Sequence, residues 1–199
     1  MAADAAFQRQ ETLNEQELTE ANGPLGDSES VNSGGKAEEG SFGEEANPVE
    51  RVRRWLTQFP FAIEVREFAA STSTAEEAAR TVGVEVGQIA KSILFTVNGM
   101  MVMVVTSGDV RVSPSRLKQH LNVSGKVKLA DAETIAAVTG FPPGGVCPFA
   151  LRQPVRILID ESMRRFPVVY IAAGSPRSAA PVTVEQLLAI TGGELCDLS

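Results

Sequence analysis

Lys91 interrupts an otherwise apolar run, Ile89-Ala90-Lys91-Ser92-Ile93-Leu94-Phe95-Thr96-Val97. A period of two sets Lys91 on one strand face with Ile89, Ile93, Phe95 and Val97. An ammonium group directed at a core loses hydration, at a cost of several kcal/mol, unless a partner or a wet cleft relieves it. Two readings follow: Lys91 lines a pocket, or it lies near a sheet edge with its stem on apolar neighbours and its head in bulk water. A second segment with chemical potential is Phe141-Pro142-Pro143-Gly144-Gly145-Val146-Cys147-Pro148-Phe149. Its prolines and glycines cannot continue a helix or a central strand, so its main-chain groups are not used up by a regular ladder. Amides aimed at one point make an oxyanion site, and carbonyls can hold an ammonium group. Together they suit an aminoacyl ester, which carries a carbonyl and an α-amine; the competing reading is a rigid surface turn.

The elements that must position these groups can be followed along the chain. Arg51, Arg53 and Arg54 alternate with Val52, Trp55 and Leu56 in a short basic amphipathic helix that ends before Pro60. Ala62 to Phe68 forms the first expected strand. Ser73 or Thr74 caps a helix that stops at Gly83. Asn98-Gly99 then joins the Lys91 strand to a partner, Met100 to Val105. Ser113 caps a helix with Pro114 in its first turn, running to Leu121. A short strand at Lys126 to Leu129 follows, then a helix capped by Asp131 and ended by Thr139-Gly140. Val155 to Asp160 and Val168 to Ala172 are core strands around a helical turn at Glu161 to Arg165. A last helix, Val184 to Ile190, follows the cap Thr183. This order lacks a regular βαβ rhythm, which predicts an α+β domain with a mixed, largely antiparallel sheet, or a partly open barrel, flanked by helices.

Charge is distributed unevenly over the 199 residues, whose formal net charge is -7. Residues 1–50 hold twelve of the 25 acidic residues and only Arg9 and Lys36 of the 18 basic ones. Residues 1–48 show no sustained hydrophobic period and are expected to form a disordered acidic tail, leaving 49–199 as the folded domain. Neither the Arg-rich composition of a transit peptide nor the apolar stretch of a signal peptide is present, and no run has the length of a membrane span, so a cytoplasmic protein with no membrane partner is expected. Cys147 and Cys196 are too few and too isolated for a disulfide framework or a zinc site. His120 is the single histidine. It lies on a polar helix and leaves Cys-His or Ser-His nucleophilic schemes with one candidate base.

The segment Gln88-Ile89-Ala90-Lys91-Ser92-Ile93-Leu94-Phe95, followed by Gly140-Phe141 and by Gly144-Gly145-Val146-Cys147-Pro148-Phe149, resembles the YbaK and prolyl-tRNA-synthetase-associated editing domains. Ile159-Asp160-Glu161 and Ala173-Gly174-Ser175 extend the match, which covers residues 51–192. The resemblance implies an enzyme that hydrolyses the ester of a mischarged tRNA in trans, acting on the acceptor end. It further implies Lys91 as the central side chain, Gly144, Gly145, Val146, Cys147 and Pro148 as the loop that cradles the aminoacyl group, and Gly174 and Ser175 near the pocket. No metal or organic cofactor is implied. An aminoacyl-tRNA synthetase is a second candidate partner, because a domain charge of about +3 gives only a weak electrostatic footprint for autonomous tRNA binding. Arg51, Arg53, Arg54, Arg111, Arg116, Lys118, Lys126 and Lys128 are the candidate phosphate contacts.

The sequence departs from the family pattern at three places. Members often carry Ser where this chain has Cys147, and members specialised for alanine often carry histidine where it has Ala172-Ala173-Gly174. In the third place, Ser175-Pro176-Arg177-Ser178-Ala179-Ala180 stands where members more usually have a glycine-rich, basic or acidic continuation. The first departure admits a thiol-dependent hydrolase, and the first and third together admit a non-catalytic ligand- or tRNA-binding module of the same fold. The amino-acid specificity stays open.

Overall fold

The computed structural model describes residues 47–199. The expected acidic tail falls outside the described residues except at its end, where Asn47 and Pro48 already belong to the first helix. In α1 (Pro48–Leu56) the Asn47 side chain accepts the Val49 amide at 3.0 Å, Pro48 occupies the first turn, and Val49, Val52 and Leu56 are buried. Then come β1 (Arg66–Glu67), α2 (Ala75–Val82), a 3-10 turn (Val86–Gln88), β2 (Ile89–Val97), β3 (Met100–Ser107) and α3 (Pro114–Leu121). They are followed by β4 (Val127–Leu129), α4 (Ala132–Thr139), β5 (Arg156–Asp160), a 3-10 turn (Glu161–Arg165), β6 (Val169–Ala172), β7 (Ser178–Val182), α5 (Val184–Thr191) and β8 (Glu194–Cys196).

The strands form one open, mostly antiparallel sheet in the order β1-β7-β6-β2-β3-β5-β8, with β4 also paired to β2. Helices cover both faces. Val52, Leu187 and Ile190 from α1 and α5 pack with Leu94, Met103, Ile159 and Ile171 in the larger core. On the other face Leu117 and Leu121 of α3 cover Phe95, Val97 and Val104, while Ala75, Ala78 and Ala79 of α2 cover Ile89.

The Asn98-Gly99 turn pairs β2 with β3 from Val97↔Met100 to Ala90↔Ser107. Its opposite edge is forked. β6 runs parallel to it only at Ile89 and Ala90, and β4 runs antiparallel to it only at Phe95 to Val97, with the Ala130 amide donating to the Leu94 carbonyl at 3.0 Å. Between these two neighbours the strand has no partner on that side among the described residues. Lys91 therefore points not into one continuous core but between the α2 and α3 clusters, at the fork.

Two expectations are corrected. The first strand shrinks from Ala62–Phe68 to Arg66–Glu67, because only these residues find a partner, at Ala179 and Ser178 of β7. β7 itself was not expected. Its Pro181 lies opposite Tyr170 of β6 and beyond the last residue paired to β1, so the missing N–H leaves no ladder bond broken on that side.

Candidate functional site

A cleft of about 510 Å³ opens at the fork in β2. Six consecutive residues, Ile89 to Leu94, line it, with Tyr170 and Ala172 of β6 on one side and Leu129 and Ala130 at the end of β4 on the other. The segment before α2 supplies a polar wall of Thr72, Ser73, Thr74 and Glu76. Ile135, Pro143, Gly144 and Val146 supply a more apolar wall opposite. A ligand here meets hydroxyls and a carboxylate on one side and hydrocarbon on the other.

The Lys91 ammonium is half-buried and donates to the Val110 carbonyl at 2.8 Å. Burial pushes its pKa below the ordinary lysine range; Glu76 and Asp109 act against this shift, and Arg111 adds to it. Asp109 is in turn clamped by two hydrogen bonds from Arg165, at 3.1 and 2.6 Å, which hold its carboxyl below the usual carboxylate range and fix the loop that carries Val110. The result is a cation fixed at a cleft wall by one carbonyl bond, with donor capacity left over.

The glycine and proline loop contributes less main chain to the cleft than its composition suggests. Gly144, in a left-handed conformation with φ +80, packs against Ser73 of the opposite wall, and Val146 also reaches the cleft. Gly145 is buried and its main chain is already used: its amide donates to Pro142 and its carbonyl accepts the Gly174 amide, each at 3.0 Å. A Cβ there would stand 2.7 Å from the Ser175 amide nitrogen. Gly174 in turn leaves no room for a Cβ, which would meet the Pro48 carbonyl oxygen at 2.6 Å. Cys147 and Pro148 are buried behind the wall. Thus Lys91, Gly144 and Val146 come together, while Gly145, Cys147, Pro148, Gly174 and Ser175 form the support behind them rather than the cleft lining.

Burial pushes the Cys147 thiol up to about 12, and the thiol lies 3.8 Å from the Phe149 carbonyl. A thiol in this environment stays protonated at neutral pH and is a poor nucleophile. The thiol-dependent hydrolase reading predicts loss of turnover in Cys147→Ser, which keeps a donor for Phe149, whereas a protonated thiol behind the wall predicts turnover kept within about twofold. Abolished turnover with the fold intact would make the thiol the nucleophile.

Several candidate phosphate contacts are engaged inside the domain. Arg51 donates to the carbonyls of Thr139 and Gly140 at 2.9 and 3.0 Å and lies over the Phe141 ring at 4.4 Å, so it closes the end of α4 and holds the start of the loop. Arg53 bridges Glu50 and Glu67, and Arg116 pairs with Asp197. The polar wall at Thr72 to Glu76 escaped the sequence reading. Its Ser-Thr-Ser-Thr run was visible only as a helix cap, and a cap signal says nothing of what faces it.

An open sheet with helices on both faces, a fixed ammonium group and a two-sided cleft defines a domain able to receive a small polar group with an apolar attachment. The chain belongs to the aminoacyl-tRNA editing domain family, whose model matches residues 69–190. It is 34% identical over 140 residues to the uncharacterized protein YwhH of Bacillus subtilis, covering 70% of this chain and 88% of that protein. It is also 42% identical over 80 residues to the proline--tRNA ligase of Desulfovibrio desulfuricans, covering 40% of this chain but only 14% of the ligase. Among solved structures, one described as a candidate trans-editing enzyme for prolyl tRNA synthetase superposes with a TM-score of 0.71 at 34% identity, over 78% of this chain and 99% of that one. Among the described residues, no helix is long and apolar enough to cross a membrane.

Proposed function

We propose that this protein is a trans-acting aminoacyl-tRNA deacylase that hydrolyses the ester joining a wrong amino acid to the tRNA acceptor end, with tRNA of the prolyl type as its substrate. The observation that carries this reading is the shared cleft of Lys91, Gly144 and Val146 in a domain of the editing family. In the reaction a water oxygen adds to the acyl carbon, the bond from that carbon to the ribose oxygen breaks, and the ribose oxygen takes a proton. Lys91 supplies positive charge beside the developing oxyanion or the terminal phosphate, and the polar wall orients the water. Gly145, Cys147, Pro148, Gly174 and Ser175 act by holding Gly144 and Val146 in place. The apolar wall favours small, uncharged acyl side chains.

The test is a panel of tRNAs charged with small amino acids, incubated with the full chain and assayed for released amino acid. Cleavage of mischarged prolyl-type tRNA with the correctly charged form spared is the expected result. Saturable tRNA binding with no cleavage anywhere on the panel would select the non-catalytic binding module instead.

The pH dependence separates a charge role for Lys91 from a base role. A charge role requires the protonated amine, so kcat/KM, corrected for spontaneous ester hydrolysis, falls as pH rises through the Lys91 pKa, which burial has moved below the ordinary lysine range. Lys91→Arg moves that limb to higher pH. A corrected rate that rises across the same window would make Lys91 a general base.

A further inference from the structure

The partnerless stretch of β2 has a defined polarity. A two-residue turn closes on a hydrogen-bonded pair, so Val97 and Met100 exchange main-chain bonds, and by alternation Phe95, Ile93 and Lys91 also turn their N–H and C=O groups toward β3. Ala90, Ser92, Leu94 and Thr96 turn theirs the other way. The bond from Ala130 N–H to the Leu94 carbonyl confirms this parity independently. On that outward side Ala90 meets β6 and Leu94 meets Ala130. Among the described residues, no strand reaches Ser92. Its N–H and C=O are thus left facing the gap, and Ser92 lines the cleft.

A single α-aminoacyl group complements this vacancy. In an antiparallel sheet two residues that face each other as a hydrogen-bonded pair exchange both bonds, each giving its N–H to the other's C=O. An aminoacyl ester carries the same two groups, an α-ammonium donor and a carbonyl acceptor, on either side of one Cα. The space also matches: Ala90 to Leu94 spans about 13 Å of strand at 3.3 Å per residue, enough for one acyl residue and its ribose once the flanking strands are allowed for. The Gly145 main chain, the other candidate cradle, is already bonded to Pro142 and Gly174.

We propose that the aminoacyl group docks on the open edge of β2 as one antiparallel residue, its α-ammonium donating to the Ser92 carbonyl and its ester carbonyl accepting from the Ser92 N–H. This rests on the deacylase reading and makes Ser92, through its main chain, the positioning residue for the scissile carbonyl. The Ser92 N–H then stabilises the oxyanion as water adds, and the neighbouring Lys91 side chain, projecting from the same strand, brings its charge to the same place. Recognition by main chain is indifferent to the acyl side chain, which leaves selection among amino acids to the walls of the cleft.

The experiment is residue-resolved amide hydrogen exchange on the full chain, free and saturated with 3′-(L-alanylamino)-3′-deoxyadenosine, an uncleavable amide analogue of the charged tRNA end. In the free protein the Ser92 amide exchanges at least about tenfold faster than those of Lys91 and Ile93, and the analogue slows it at least about tenfold. 3′-Amino-3′-deoxyadenosine, which lacks the acyl group, leaves it fast. Protection of Ser92 in the free protein equal to that of Lys91 and Ile93 overturns the proposal. So does a Ser92 amide that stays fast while shifts at Lys91 and Gly144 show the cleft to be saturated. Replacing Ser92 by its α-hydroxy acid, which deletes this N–H and keeps the side chain, lowers kcat/KM at least about tenfold; a rate equal to the parent's also overturns the docking. If charged tRNA is not cleaved and the analogue moves no resonance in the cleft, the deacylase reading fails and the docking with it. Cleavage with an unresponsive Ser92 amide sinks the docking alone.

Discussion

Replacing Lys91 with Met lowers kcat/KM for mischarged tRNA by about a hundredfold, or ~2.7 kcal/mol of transition-state stabilisation. The change keeps the length and apolar stem of the side chain and deletes only the charge and its bond to Val110. No loss of folding stability accompanies it, because the half-buried ammonium is held against a desolvation penalty that the thioether does not incur. The two readouts therefore move apart, with activity down and the melting transition kept. Turnover that survives Lys91→Met on every tRNA the parent cleaves would remove the cation from the mechanism.

Gly174→Ala produces the largest expected effect on stability, a loss of about 2–5 kcal/mol in denaturant unfolding. Two costs add at this residue. Its φ of +95 is strained for any residue with a Cβ, and that Cβ would stand 2.6 Å from the Pro48 carbonyl oxygen, which cannot swing aside as a long side chain could. Gly83 provides the control. It has a comparable φ of +83 at the end of α2 but nothing within 4 Å of an added Cβ, so Gly83→Ala is expected to cost only about 1 kcal/mol. Equal losses at the two sites would show that crowding at Gly174 is relieved by a shift of α1.

Local signals in the sequence survived folding wherever the physics was local. Thr74, Asp131 and Thr183 each cap the helix expected of them by accepting an amide three residues on, Gly83 and Gly140 end helices in the left-handed region, and Asn98-Gly99 makes the hairpin. The Glu161–Arg165 turn also lies where the sequence placed it. What the sequence hid was partnership. Ala62 to Val65 have the pattern of a strand and no neighbour to pair with, whereas Ser178 to Val182, with its proline and small residues, is a strand because β1 and β6 flank it.

The site divides along the same line. The oddity of Lys91 was plain, since a charge within an apolar run violates a local rule, and the loop stood out by composition. The fork could not be seen, because it depends on where β6 departs and β4 arrives, two elements about 80 and 40 residues away along the chain from Lys91. Ser92, an ordinary residue beside an unusual one, carries no signal of its own.

Helix α1 gives the domain a brace that lies upstream of the family match at 69–190. It lines none of the cleft, yet its first turn backs Gly174, its Arg51 grips the end of α4, and its buried edge seals the larger core. Gly144 and Val146 thus owe their posture to residues outside the segment that defines the family, and a fragment cut at position 69 would keep the cleft residues while losing the buttress that aims them.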